Sequence, residues 1–114
     1  MKLGEVANVI GGKVVCGNGF TDKDVVSAFA SDLMSDVLTL DTEGLLLITG
    51  LANMQTIRTA EMADIAGIVF VRNKKPSAEM VNLADELGIV LIESASSMFN
   101  VSGKLFQAGI KPLF

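Results

Sequence analysis

Three short apolar runs dominate the hydrophobic pattern of this chain: Leu45-Leu46-Leu47-Ile48, Ile68-Val69-Phe70-Val71 and Ile89-Val90-Leu91-Ile92. They begin 23 and 21 residues apart, the period of a strand, a loop and a helix. None alternates apolar with polar residues, so both faces of each strand must be covered, as in a parallel sheet flanked by crossover helices. From Leu45 onward the pattern predicts β-α-β-α-β-α order with right-handed crossovers, in a small, mostly parallel α/β sheet.

The segments between the runs carry helical punctuation. Ser77 follows Pro76 as an N-cap, Met80, Leu83, Ala84 and Leu87 form a stripe at helical spacing, and Gly88 sits at the C′ position. A helix over about Asn53 to Asp64 turns Met54, Ile57, Ala60 and Ala63 toward the sheet and Arg58 and Glu61 toward solvent. The last helix, from Ser96 or Ser97 to Ala108, carries Met98, Val101, Leu105 and Ala108 on one stripe. Phe99 and Phe106, seven residues apart, fall on an adjacent face. Together these positions span roughly 180°, against the ~100° that covers a sheet, so the two phenylalanines need a second cover. The N-terminal segment supplies it, or the face serves self-association, most simply as a homodimer, or meets a protein partner.

Ahead of the runs, Leu3, Val6, Ala7 and Ile10 form a helical stripe closed by Gly11-Gly12. Lys13 to Cys16 reads as a strand and Gly17-Asn18-Gly19 as a turn. Between Phe20 and Thr42 the signal is mixed. Val25-Val26 and Ala28-Phe29 suggest a strand or crossover, and Ser31 to Leu38 a capped helical turn. No linker or low-complexity segment interrupts the sequence, so residues 1–114 are expected to form one α/β domain.

Composition narrows the function classes. The 114 residues include 13 acidic and 9 basic side chains, a formal charge of −4, and no histidine. Without a basic cluster larger than three residues there is no electrostatic ground for nucleic-acid binding. Without histidine, Ser-His-Asp and Cys-His catalysis and imidazole-ligated metals are excluded. Half the residues are apolar and 19% are charged, against about 25% charged in an ordinary domain, which points to an oligomer. Cys16, the single cysteine, forms no internal disulfide, suits a reducing compartment and reads as core filler. Met1-Lys2-Leu3-Gly4-Glu5 lacks the apolar run of a secretory signal, and Ile65 to Val71 is too short to span a bilayer. The expected location is the cytoplasm.

Familiar motifs fail on inspection. A P-loop needs Ser or Thr after Gly-Lys to ligate magnesium, but Gly12-Lys13 precedes Val14 and Gly103-Lys104 precedes Leu105. Gly17-Asn18-Gly19 resembles the start of a dinucleotide fingerprint, but Asp22 occupies the third glycine position. Asp32 and Asp36, four apart, could share a helix face and hold a divalent cation, although two carboxylates are few for that task. The alternative is that Ser31, Asp32, Ser35 and Asp36 cap short helical turns. No cofactor is implied.

The parallel sheet itself supplies the stronger site, because ligands bind where loops leave the carboxyl ends of the strands. Three loops meet there: Thr49 to Asn53, Arg72 to Ser77, and Glu93 to Ser97. Arg72, Lys74 and Lys75 precede a helix N-terminus, a combination that favours a phosphate or carboxylate. Thr49, Gly50, Asn53, Arg72, Lys74, Lys75, Ser77, Ser94 and Ser96 are the candidate ligand-binding residues. The competing reading is an ordinary solvated connection.

The order and spacing of Gly44 to Gly50, Gly67 to Val71, Pro76, Leu83-Ala84 and Gly88 to Leu91 resemble the DRTGG domain family. The resemblance covers about Leu45 to Phe106. With Ser31 to Leu38 added, it extends to the family's small stand-alone members over nearly the whole chain. The Asp-Arg-Thr-Gly-Gly string that names the family is absent, and Asn53-Met54-Gln55-Thr56 falls near its place, so no role tied to that string carries over. The family is similar in fold to the N-terminal domain of HPr kinase/phosphorylase. Its members occur as accessory modules in phosphotransacetylases and CBS-domain pyrophosphatases. The resemblance implies a regulatory or dimer-forming module with no chemistry of its own, and the loop edge suggests a small anionic metabolite or nucleotide as what it senses. A partner-binding subunit is the alternative. A magnesium-dependent phosphotransferase using Asp32 and Asp36 comes third, since the P-loop is missing.

Overall fold

Each of the three apolar runs forms a strand, with termini within a residue or two of the expected ones. The computed structural model describes residues 1–114. In chain order the elements are α1 (Leu3–Ile10), β1 (Lys13–Cys16), β2 (Ser27–Ala30), α2 (Met34–Val37), β3 (Leu46–Thr49) and α3 (Met54–Met62). They continue with β4 (Gly67–Phe70), α4 (Ala78–Leu87), β5 (Val90–Glu93), α5 (Met98–Gln107) and β6 (Lys111–Pro112). The six strands form one sheet in the order β1-β5-β4-β3-β2-β6. Every pairing is parallel except β1 with β5.

Because side chains alternate across a strand, the unbroken apolar runs feed two cores at once. Leu46, Ile48, Val69, Val71, Val90 and Ile92 meet α1 and α5 on one face. Leu47, Ile68, Phe70 and Leu91 meet α2, α3 and α4 on the other. The result is a three-layer α/β/α arrangement. Gly67 permits one close approach within it: a Cβ there would lie 2.7 Å from Leu3 Cδ2, so glycine lets α1 seat directly on β4.

The mixed segment resolves into a parallel strand, β2, and a single helical turn, α2. The capping expected there is not found. Leu33 occupies the N-cap of α2 without a side-chain hydrogen bond, while Ser31 Oγ accepts the Leu33 N–H at 3.0 Å. Asp32 lies ahead of the helix and Asp36 inside it, so the two do not share a helix face. At α3, α4 and α5 the N-caps are Asn53, Ser77 and Ser97, each accepting a backbone N–H three residues on.

The α3 stripe of Met54, Ile57, Ala60 and Ala63 packs against the core as expected but is wider than the pattern predicts. Thr56 and Thr59 are buried beside Ile57 and Ala60, while Met54 and Ala63 are half-buried. Thr56 tolerates burial because its hydroxyl donates to Leu51 O at 2.6 Å. Ala108 is exposed, since α5 ends at Gln107 and the chain turns there toward β6. Helix α1 covers the Val101 and Leu105 stripe but leaves Phe99 and Phe106 exposed, at 89% and 66%. The N-terminal segment is therefore not their cover. No helix is long and apolar enough to cross a membrane.

Candidate functional site

At the carboxyl ends of β2, β3, β4 and β5 the connecting loops are tied to one another. Thr49 is fully buried, and its hydroxyl donates to Asp32 Oδ1 at 3.0 Å and accepts the Leu51 N–H at 3.1 Å. The Gly50 N–H donates to the same Asp32 oxygen at 2.6 Å. Asp32 Oδ2 in turn lies 3.6 Å from Arg72 Nη2. One carboxylate thus joins the exits of β2, β3 and β4.

Arg72 is the most constrained residue in this cluster. It and Asn73 occupy the left-handed backbone region, with φ of 58° and 59°, which non-glycine residues adopt at a cost of about 1 kcal/mol or more each. Two backbone hydrogen bonds to the third loop hold them there: Arg72 N–H to Ser96 O at 2.8 Å and Asn73 N–H to Ser94 O at 3.0 Å. The guanidinium consequently lies over Gly50, where a Cβ would come within 3.0 Å of Arg72 Cζ. Glycine at position 50 is what gives the guanidinium its place. Arg72 remains 55% exposed and Asp32 48%, so the ion pair itself contributes no more than about 1 kcal/mol. Its donors remain accessible to an incoming anion.

The other expected site residues divide into those committed to the scaffold and those left open. Asn53 Oδ1 caps α3 by accepting the Thr56 N–H at 3.0 Å. Ser77 Oγ caps α4. Ser94 is buried, and its hydroxyl accepts the Ser96 N–H at 3.2 Å, stiffening the third loop. Lys75 Nζ pairs with Glu93 Oε1 at 3.2 Å. Lys74 is exposed and takes part in no ion pair. Lys74 is therefore the unpaired cation of the edge, beside Arg72, whose pair with Asp32 is half-exposed. No group of three or more Asp, Glu or Cys side chains converges as a metal site, and the Asp36 side chain is not part of the loop cluster.

Sequence reasoning placed the three loops together but missed the connection made by Asp32. The available signal was its position two residues after β2, which makes it a fourth carboxyl-end loop residue. Phe99 and Phe106 belong to a different part of the surface, on α5. Beside Phe106, between α5 and the β2–β6 edge, lies an apolar groove that nothing in the hydrophobic pattern announced.

Comparison with known proteins places this arrangement. The chain is similar to the CBS and DRTGG domains of the regulatory region of Clostridium perfringens pyrophosphatase, a structure solved in complex with the activator diadenosine tetraphosphate. The two share a TM-score of 0.75 at 13% identity, over 96% of this chain and 47% of that one, so this chain spans about half its length. Curated protein sequences gave no match. The DRTGG domain model matches residues 5–108, a span that holds five of the six strands and all of α2 to α5, and the chain belongs to the DRTGG domain family.

Proposed function

We propose that this protein is a non-catalytic regulatory module that senses a small phosphorylated anion at the carboxyl-end loops and works as a homodimer. The observation that carries the reading is Arg72: a strained backbone, fixed by Ser94 and Ser96, aims a half-exposed guanidinium across Gly50. Strain of this kind persists where the surrounding structure holds it, and such positions cluster at ligand-binding sites. A guanidinium offers a bidentate fork to phosphate, and Lys74 adds a second, unpaired cation nearby in the same loop. The clostridial regulatory region was solved with a dinucleoside polyphosphate, which makes adenosine phosphates the first ligand class to test here.

Binding of ADP and ATP, measured by isothermal titration calorimetry at low and physiological salt, tests this reading. Arg72→Ala is expected to weaken binding at least tenfold, and Lys74→Glu with Lys75→Glu to abolish it. Equal affinity in the wild type and both variants would refute the site.

A second reading, a partner-binding subunit, is favoured by the exposed Phe99 and Phe106. Isolated apolar residues at a surface need no explanation, but here two exposed aromatic rings lie two turns apart on the same face of one helix. Self-association and partner binding compete for that patch. Light scattering of the isolated protein separates them.

A further inference from the structure

The groove beside α5 arises from small residues where the fold elsewhere places large ones. On the α1/α5 face of the sheet, β3 contributes Leu46 and Ile48, β4 Val69 with Val71 just beyond its end, and β5 Val90 and Ile92. Strand β2, in register beside β3, contributes Ala28 opposite Leu46 and Ala30 opposite Ile48. Across from these alanines α5 presents Ser102. The missing side-chain volume opens a groove of about 310 Å³, at the lower end of the range for small-molecule sites. Ile48, Leu105 and Ile110 line its apolar depth, and Phe106 and Phe114 line its sides.

Two polar features qualify this apolar space. Ser102 Oγ is buried without a hydrogen-bond partner, although a helical serine ordinarily bonds back to the preceding turn or to water. Lys111 also lines the groove, exposed and in no ion pair. Lys111 is the one charged side chain among the residues that line the groove, in a protein of charge −4.

We propose that this groove binds a medium-chain carboxylate, with its alkyl chain over Ala28 and Ala30 and its carboxylate paired with Lys111. The apolar depth suits an alkyl chain, and the local positive charge selects an anionic head over a neutral or cationic one. This site is separate from the loops at Arg72, so either proposal can fail without the other.

The experiment titrates decanoate, below its micelle concentration, into the full chain and follows thermal unfolding by far-UV circular dichroism. The midpoint is expected to rise by several degrees near saturation. Ala30→Leu fills the groove from an exposed position and should weaken decanoate at least tenfold. Lys111→Ala should weaken decanoate about fivefold while leaving decanol unchanged. Should Ala30→Leu fail to fold, nuclear Overhauser contacts between decanoate methylenes and the Ala28 and Ala30 methyls of the wild type decide the matter, and their presence is the expected result. A midpoint indifferent to decanoate, a response undiminished in Ala30→Leu, or absent Overhauser contacts would each overturn the proposal. So would a protein whose mass doubles through this face and that ignores decanoate.

Discussion

Asp32 Oδ1 accepts the Gly50 N–H at 2.6 Å, and through that one hydrogen bond the segment leaving β2 is fastened to the segment leaving β3. The same oxygen takes the hydroxyl of buried Thr49. Removing the carboxylate leaves an N–H and a hydroxyl without their acceptor, an interaction class worth about 1.5–3 kcal/mol when one partner is charged. Half-exposure of Asp32 lets water replace part of the loss. Asp32→Ala is therefore expected to destabilise the protein by about 1–2 kcal/mol in urea unfolding, and an unchanged midpoint would show that the clasp has no structural role.

Gly50 makes room for the Arg72 guanidinium, and a methyl group there has nowhere to go without moving it. Position 50 is not in the left-handed region, so alanine is tolerated by the backbone and the effect falls on Arg72 alone. Gly50→Ala should reproduce the ligand-binding defect of Arg72→Ala while changing stability by less than about 1 kcal/mol. Full ligand affinity in Gly50→Ala would mean that the guanidinium need not lie where it does.

Cys16 offers a test through pH. Its thiol is 5% exposed and donates to Ile89 O at 3.5 Å. Burial lifts its pKa above the ordinary 9.0, the backbone hydrogen bond at Leu91 works against that, and the nearby charge of Asp85 adds to it. The folded state then keeps its proton while the unfolded chain loses it, so stability contributed by the neutral thiol is complete below the unfolded pKa. It is lost as pH rises through that value toward the folded one. Between about pH 8 and 10 the unfolding free energy should fall more steeply in the wild type than in Cys16→Ala. Identical slopes would contradict the burial account, as would rapid modification of native Cys16 by a thiol reagent at pH 8.

Phe99 and Phe106 test the homodimer. Placing a carboxylate on that patch should disrupt any association through it, so Phe106→Glu is expected to halve the mass measured by light scattering without lowering helical content. A dimer that persists in both Phe99→Glu and Phe106→Glu would remove this face from consideration, and a monomeric wild type would leave it to a different partner.

Much of this architecture is written in the sequence, for a physical reason. Runs such as Ile68 to Phe70 cannot leave either face wet, and Ser77 and Gly88 mark the ends of α4 by satisfying backbone groups that any helix leaves open. The loop cluster followed from parallel topology. The roles within it did not, because they depend on tertiary pairing: nothing local distinguishes Asp32 as a clasp from Asp32 as a cap, or Lys75 bound to Glu93 from Lys74 left open. The groove was hidden for a related reason. Ala28, Ala30 and Ser102 become a gap only once β2 lies beside β3 and under α5, and β2 sits in the stretch with the weakest periodicity.

The central claim is that Arg72 holds its strained place for the sake of an anion. The most direct measurement follows the thermal midpoint by circular dichroism, which suits a chain without Trp or Tyr, against adenine nucleotides, sugar phosphates and small carboxylates, for the wild type and Arg72→Gly. Glycine accepts the left-handed backbone freely, so Arg72→Gly should be at least as stable as the wild type without ligand. A phosphate compound at about 100 times its dissociation constant should stabilise the wild type by about 2.7 kcal/mol, several degrees for a domain this small, and leave Arg72→Gly unmoved. A panel that shifts neither protein, or shifts both equally, would contradict the account.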